Sequence, residues 1–197
     1  KGWMWKELGS ISLIGTGVTP SKGRADYYHN GKINWVTSKV TGDDFVNDSE
    51  QKITEVALSE CRLKRYPAGT LIVAMYGQGK TRGQVSELLI ESTINQALAA
   101  VVVSPEHDSK FVKYFLKRSY FLLRSKANGG TQENLNLSII KAIRVPVPDA
   151  QQQRQIVMSL DALNAQLNQV KIELTSKLEL LNQLKASNLD SAFKGEL

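Results

Sequence analysis

Apolar side chains recur at intervals of three and four residues through the last quarter of the chain, the spacing of one face of an α-helix. Asp149 is a good N-cap with Gln152 three residues later, and neither Gly nor Pro occurs between residues 149 and 194. The pattern predicts a helix of about 40 residues, roughly 60 Å long. Its apolar positions are here called the leucine seam: Ile156, Leu160, Leu163, Leu167, Val170, Leu174, Leu178, Leu181 and Leu184.

The leucine seam has the a/d spacing of a coiled coil, with one irregularity near residues 177–178. Heptads sustained over this length normally need a second helix, so we interpret the seam as a coiled-coil interface. The alternative is a helix that folds back against its own domain. The nearly all-Leu composition leaves parallel and antiparallel pairing open, and also the number of helices.

The first hundred residues show the pattern of a β-sheet, because short apolar or β-branched runs alternate with Gly-rich turns. From residue 106 to 126 the apolar spacing changes to three and four, which predicts one helix with its Lys and Arg side chains on a solvated face. The predicted fold class is α+β. A mostly β domain with a late helix, residues 1–148, precedes a single long coiled-coil α-helix, residues 149–197. The predicted strands are residues 11–14, 33–36, 71–76 and 97–103.

The positive charge of the chain is concentrated in the predicted β domain. Residues 1–148 hold 20 Lys+Arg against 13 Asp+Glu, whereas residues 149–197 hold 5 against 6. A basic domain joined to a nearly neutral helix is typical of a polyanion partner for the domain and a protein partner for the helix. The chain shows no apolar run long enough for a membrane span and has a single cysteine, Cys61, so a reducing cytoplasm is expected.

Three loops in this domain carry basic and polar side chains that a hydrophobic core does not require. The first loop, residues 15–24, has glycines that allow close approach of a partner, and its Lys22 and Arg24 can contact phosphate. The second loop, residues 36–39, follows the strand that holds Trp35. The third loop, residues 76–84, has side-chain types that read base edges; its alternative interpretation is a plain hairpin turn. The predicted DNA contacts are Lys22, Arg24, Thr37, Ser38, Lys39, Tyr76, Gln78, Lys80, Thr81, Arg82 and Gln84.

The sequence gives no support for catalysis by this chain. Residues 74–81 satisfy a permissive P-loop pattern, but Arg82-Gly83 stands where the phosphate-binding helix must start. His29, His107 and Cys61 lack metal-ligand or nucleophile spacing. We therefore expect no catalytic residue, no metal site and no cofactor bound by the chain.

Taken in order, several short motifs resemble the specificity subunit of type I DNA restriction-modification systems. They are residues 5–8 (WKEL), 15–20 (GTGVTP), 31–35 (GKINW), 69–72 (GTLI), 95–97 (NQA), 129–136 (GGTQENLN), 143–148 (IRVPVP), 153–157 (QRQIV) and 192–197 (AFKGEL). The resemblance implies a target recognition domain that reads half of a bipartite site in double-stranded DNA. It also implies a spacer helix that binds methyltransferase subunits, and an assembly that includes restriction-translocation subunits.

The same resemblance implies a non-catalytic protein of the bacterial or archaeal cytoplasm, with S-adenosylmethionine bound by the partner methyltransferase subunits. It adds Gln132 and Asn134 as weaker candidates for DNA contact. The usual subunit carries two recognition domains and two helices, whereas this chain has one of each. The chain therefore resembles a half-length subunit or a fragment, and a homodimer through the helix would read a palindromic interrupted site.

A coiled-coil adaptor with a basic domain that binds RNA or an acidic protein is the competing interpretation. RNA recognition relies on aromatic platforms, for which Trp3, Trp5 and Trp35 are the candidates. This interpretation accounts for the helix and the charge. It does not account for three Gly-flanked loops with base-reading side chains.

Overall fold

The computed structural model describes residues 2–77, 81–121 and 134–195. Contacts divide the chain into two compact units, Lys1–Arg154 and Gln155–Leu197. The first unit is α+β, as predicted. Its strands are β1 (Met4–Glu7), β2 (Ser12–Thr16), β3 (Ile33–Val36), β4 (Phe45–Val46), β5 (Gln51–Ile53), β6 (Leu71–Ala74), β7 (Val85–Leu88), β8 (Thr93–Ile94), β9 (Leu98–Val103) and β10 (Arg144–Val147). Its helices are α1 (Glu55–Glu60), α2 (Ser109–Arg118) and α3 (Leu137–Lys141).

The main sheet has five strands in the order β2-β9-β6-β7-β4. All four residues of β6 are buried, as expected for a strand with neighbours on both edges and both faces covered. The pairs β2·β9, β6·β9 and β6·β7 are antiparallel, while the two-residue strand β4 runs parallel to β7. One face of this sheet holds a core that includes Ile72, Leu88 and Leu98.

A smaller sheet has three strands in the order β5-β3-β8. Strand β3 pairs antiparallel with β5 and parallel with β8. Trp35 on β3 is buried in a second core with Ile53 and Leu63. The third sheet is the antiparallel pair β1·β10, in which Met4 lies opposite Val147.

Helix α2 begins three residues later than the sequence pattern predicts and ends at Arg118; residues 120 and 121 are again helical, and residues 122–126 of the predicted helix lie outside the described residues. Asp108 caps its start by accepting a hydrogen bond from the Phe111 backbone N–H at 3.1 Å, and Ser119 ends it at the C-cap. The prediction that all its lysines lie on a solvated face is wrong for Lys113, which is 5% exposed. Its Nζ pairs with Glu87 Oε2 at 3.1 Å, because that face of the helix packs on β7.

The long C-terminal helix, α4, spans Ala150–Lys194, 45 residues or about 68 Å. It begins as predicted: Asp149 Oδ1 accepts a hydrogen bond from the Gln152 backbone N–H at 2.8 Å. The seam side chains from Leu163 to Leu184 are 49% to 62% exposed in the single chain. At 100° per residue, Leu174 and Leu178 fall within one narrow stripe, so the irregular spacing does not interrupt the apolar face. Within the described residues, no helix has the length and apolarity to cross a membrane.

Candidate nucleic-acid interface

A cleft of about 250 Å³ lies where the first two predicted loops meet; it is here called the first cleft. The first loop is held there by two bonds to its backbone: the Trp35 indole N–H donates to the Val18 carbonyl at 3.1 Å, and the Tyr28 hydroxyl donates to the Pro20 carbonyl at 2.6 Å. The second loop follows β3 directly. The described lining is Thr19, Lys22, Trp35, Val36, Thr37, Ser38, Lys39, Val40, Ser49, Glu50, Gln51 and Asn95.

The first cleft brings together Lys22, Thr37, Ser38 and Lys39, four of the predicted DNA contacts. Neither lysine forms an ion pair with any residue that the structure describes. Glu50 also lines the cleft, so two ammonium groups face one carboxylate. The excess of positive charge suits a ligand with negative charge.

Arg24 is placed differently from the other predicted cations. Its guanidinium pairs with Asp26 at 2.6 Å and Glu60 at 3.3 Å, and it lies 4.3 Å from the ring centre of Tyr27. The hydrogen bond from Arg24 lowers the pKa of the Asp26 carboxyl. Arg24 does not line the first cleft, and two carboxylates already balance its charge. The expected phosphate contact therefore finds no support in the geometry.

The first loop also uses glycine for a different reason from the one inferred from sequence. A Cβ on Gly17 would lie 1.5 Å from the Ile94 carbonyl oxygen, which is far inside van der Waals contact. The close approach at this position is therefore to the chain's own strand β8. Gly17 lets the loop pack flat on the small sheet and so positions Thr19 and Lys22 at the cleft.

The third loop connects two antiparallel strands, β6 and β7. The Gly83 N–H donates to the Ala74 carbonyl at 2.8 Å, and the Ala74 N–H donates to the Gln84 carbonyl at 3.0 Å. A hairpin is incompatible with a P-loop, in which a helix must follow the strand. Tyr76 is exposed, and Thr81, Arg82 and Gln84 are half-buried. The predicted contacts Gln78 and Lys80 lie outside the described residues.

A second cleft, of about 500 Å³, lies beside the base of this hairpin. Gln84 is the predicted contact that lines it. Lys117 lines it as well, pairs with Asp44, and has its pKa lowered by burial. One segment borders both clefts, because residues 37–40 line the first cleft and residues 41, 42 and 44 line the second. The described lining is Thr41, Gly42, Asp44, Gly83, Gln84, Val85, Lys117, Arg118, Tyr120 and Phe121.

The weaker candidates near the end of the domain are only partly described. Gln132 lies outside the described residues. Asn134 is exposed, and the N–H of the next residue, Leu135, donates to the Met75 carbonyl at 3.1 Å. Asn134 is thereby held near the start of the third loop, although it lines neither cleft.

Sequence reasoning missed Asn95 and Gln51 in the first cleft. Asn95 stands in the motif NQA and was not considered as a contact. Of the three tryptophans suggested for RNA stacking, Trp35 does not fit that role. Its side chain is 4% exposed and its indole N–H is bonded to the protein, so it offers no face to a base. Trp3 and Trp5 are exposed. No group of three or more His, Cys, Asp or Glu side chains that could hold a metal ion occurs in the described part of the chain.

Residues 1–180 match the protein family described as Type I restriction modification DNA specificity domain. The chain belongs to this family. It is similar to the Escherichia coli type I restriction enzyme EcoR124I/EcoR124II specificity subunit, with 30% identity over 89% of this chain and 44% of that protein. It is also similar to the Methanocaldococcus jannaschii MjaIX specificity subunit, with 26% identity over 81% of this chain and 37% of that protein.

Two solved structures share the fold over the whole chain. One comes from a study of complex assembly and conformational transition of the type I R-M system, with a TM-score of 0.79 and 21% identity over 47% of that chain. The other is the HsdS subunit from Thermoanaerobacter tengcongensis, with a TM-score of 0.71 and 21% identity over 46% of that chain. The resemblance seen in the sequence is thus confirmed, and so is the fold class. The chain spans less than half the length of each of these four proteins.

Proposed function

We propose that this type I specificity chain reads one half of a bipartite site in double-stranded DNA and performs no catalysis itself. The observation that carries the proposal is the first cleft, where Lys22 and Lys39 converge without an ion-pair partner among the described residues. Family membership and the basic charge of residues 1–148 support it. Phosphate contacts fix the register of a protein on a duplex, and base contacts provide its specificity.

In this proposal the two clefts divide that work. The first cleft contacts the backbone through Lys22 and Lys39, with the hydroxyls of Thr37 and Ser38 beside them. The third loop reads base edges, with Gln84 at the second cleft. The other base readers on this loop are Gln78, Thr81 and Arg82, whereas Lys80 mostly contacts phosphate and Tyr76 contributes a DNA contact at the start of the loop.

Methyl transfer and cleavage belong to partners in this proposal. Helix α4 positions methyltransferase subunits, which bind S-adenosylmethionine, and restriction-translocation subunits join the same assembly. The complex works in the cytoplasm of a bacterium or an archaeon. The supporting observations are the relatives from both domains of life, which are named as specificity subunits of type I restriction enzymes.

Duplex selection from a random pool, with the methyltransferase partner present, tests the DNA proposal. We expect one preferred half-site and a preference for duplex over single strands. Lys39→Gln should weaken binding to all duplexes and reduce the salt slope by about 0.9, whereas Gln84→Ala should relax preference at one position. Lys64→Gln is the matched control, because Lys64 is exposed and lines neither cleft. Equal affinity of the wild-type protein for duplex DNA and single-stranded RNA would contradict the proposal.

We also propose that this single-repeat chain forms a homodimer through the leucine seam. Support comes from the exposure of Leu167, Leu174 and Leu181, since burying one leucine side chain contributes about 1.5 to 3 kcal/mol. A two-fold dimer would read a palindromic interrupted site. In sedimentation equilibrium, we expect a dimer that Leu167→Asp with Leu174→Asp abolishes and that the neighbouring Gln166→Asp preserves. A wild-type monomer at all concentrations rules the homodimer out.

A further inference from the structure

Asn95 enters the first cleft with one end of its amide already used. Its Oδ1 accepts the Ala97 backbone N–H at 3.1 Å, and its own backbone N–H donates to the Val36 carbonyl at 3.0 Å. Rotating the amide by half a turn would put two donors against each other, so the orientation is fixed. The Nδ2 group has no hydrogen-bond partner among the described residues, and the residue lines the cleft. Asn95 therefore presents to the cleft an Nδ2 donor that the fold leaves without a partner among the described residues.

The unbonded Nδ2 group of Asn95 favours some ligands of the cleft over others. The usual contact of asparagine with adenine uses both ends of the amide, because the oxygen accepts from N6 while the nitrogen donates to N7. In Asn95 one lone pair of Oδ1 is taken by the Ala97 N–H, so the end of the amide left without a partner among the described residues is the Nδ2 donor. It suits a group that only accepts hydrogen bonds, and a phosphate oxygen is such a group.

The other polar groups of the first cleft favour the same ligand. Lys22 and Lys39 supply two ammonium groups, and Ser38 supplies a hydroxyl. The Thr19 hydroxyl donates to Gln96 Oε1 at 2.5 Å, which ties the first loop to the segment that carries Asn95. Glu50 is the carboxylate of the described lining and leaves one positive charge in excess. The cleft volume of about 250 Å³ greatly exceeds the share of one water molecule, about 30 Å³, so a phosphodiester group can enter.

We propose that the first cleft holds one backbone phosphate of the duplex, clamped by Lys22, Lys39 and the Nδ2 group of Asn95. This inference rests on the DNA-binding function proposed above and assigns Asn95 a role in it. Asn95 contributes equally to all sequences, because a phosphate carries no base identity. Its amide sets where the phosphate sits, while the two lysines supply the charge.

Asn95→Asp tests the clamp with little change of shape. The aspartate keeps an oxygen for the Ala97 N–H and replaces the donor by a negative oxygen in the cleft. We expect affinity to fall roughly tenfold to a hundredfold for selected and scrambled duplexes alike. Asn47→Asp makes the same charge change at an exposed residue that lines neither cleft, and should change affinity less than twofold. Thermal unfolding of each variant verifies that it is folded.

A second measurement needs only the wild-type protein and Lys39→Gln. Each phosphate of the selected duplex is replaced in turn by a neutral methylphosphonate. Among the positions that weaken the wild-type protein, one per half-site should show a loss that does not add to the loss from Lys39→Gln. This experiment stands even where Asn95→Asp fails to fold.

Three results would overturn the clamp while the DNA proposal survives. They are unchanged affinity of folded Asn95→Asp, a loss confined to the selected sequence, and no methylphosphonate position coupled to Lys39. A loss confined to one sequence would make Asn95 a base reader instead. Failure of the wild-type protein to bind any duplex, with the methyltransferase partner present, would remove the DNA proposal and the clamp together.

Discussion

The buried ion pair between helix α2 and the main sheet gives the sharpest prediction about stability. Lys113 is 5% exposed, and its Nζ lies 3.1 Å from Glu87 Oε2 and 3.7 Å from the ring centre of Phe45. The side chain of Glu87 is 14% exposed. Lys113→Met keeps the length of the side chain but removes its charge, so Glu87 keeps a carboxylate with little access to water.

The magnitude follows from the burial of both partners. Removing one member of a buried ion pair costs about 3 to 5 kcal/mol, mostly because the remaining charge is poorly solvated. For a chain of this size each kcal/mol lowers the melting temperature by about 2 to 4 °C. We therefore expect Lys113→Met to lower it by roughly 6 to 20 °C. Adding Glu87→Gln removes the stranded charge and should restore much of the loss.

Thermal unfolding followed by circular dichroism at neutral pH measures these differences. Lys64→Met is the matched control, because Lys64 is exposed, and its melting temperature should stay near that of the wild-type protein. The reasoning fails if Lys113→Met melts within about 2 °C of the wild-type protein. It also fails if the double variant is no more stable than the single one, because the cost would then not come from the charge of Glu87.

Two further predictions concern the loop glycine and a buried tyrosine. Gly17→Ala places a methyl group against the Ile94 carbonyl and should lower the free energy of unfolding in urea by about 1 to 3 kcal/mol, whereas Gly42→Ala, with open space around it, should change it by less than about 0.5 kcal/mol. The hydrogen bond to Glu60, together with burial, raises the pKa of Tyr27 to about 12. The stabilisation by the Tyr27–Glu60 hydrogen bond is therefore complete below pH 10 and is lost as the pH rises towards 12. Glu60→Gln should lower the pKa of Tyr27, measured by phenolate absorbance. An unchanged titration of Tyr27 in this variant would contradict the assignment.

The elements with strong local patterns could be predicted from the sequence, and those that depend on distant partners could not. The long helix was predictable because its cap and spacing are local signals. Strands β4, β5 and β8 have two or three residues each and form only because β7 and β3 lie beside them. The burial of Lys113 was missed for the same reason, since Glu87 is distant in sequence.

The candidate site shows the same division. Residue type and loop position pointed to Lys22 and Lys39, but not to their meeting in one cleft, which requires Gly17 to pack on β8. Arg24 is also a cation and lies in the same predicted loop as Lys22. Only the fold shows that its guanidinium forms ion pairs with Asp26 and Glu60. Asn95 could not be found from spacing, because its usefulness depends on which amide end the Ala97 N–H binds.

The pairing of β1 with β10 has a consequence for how specificity can change. These are the first and last strands of the unit that carries both clefts, and Met4 lies opposite Val147. A unit whose first and last strands pair with each other can be exchanged as a whole, because its two ends lie together. New target sequences could thus be acquired by replacing the whole unit between β1 and β10, while helix α4, which follows it, is left unchanged.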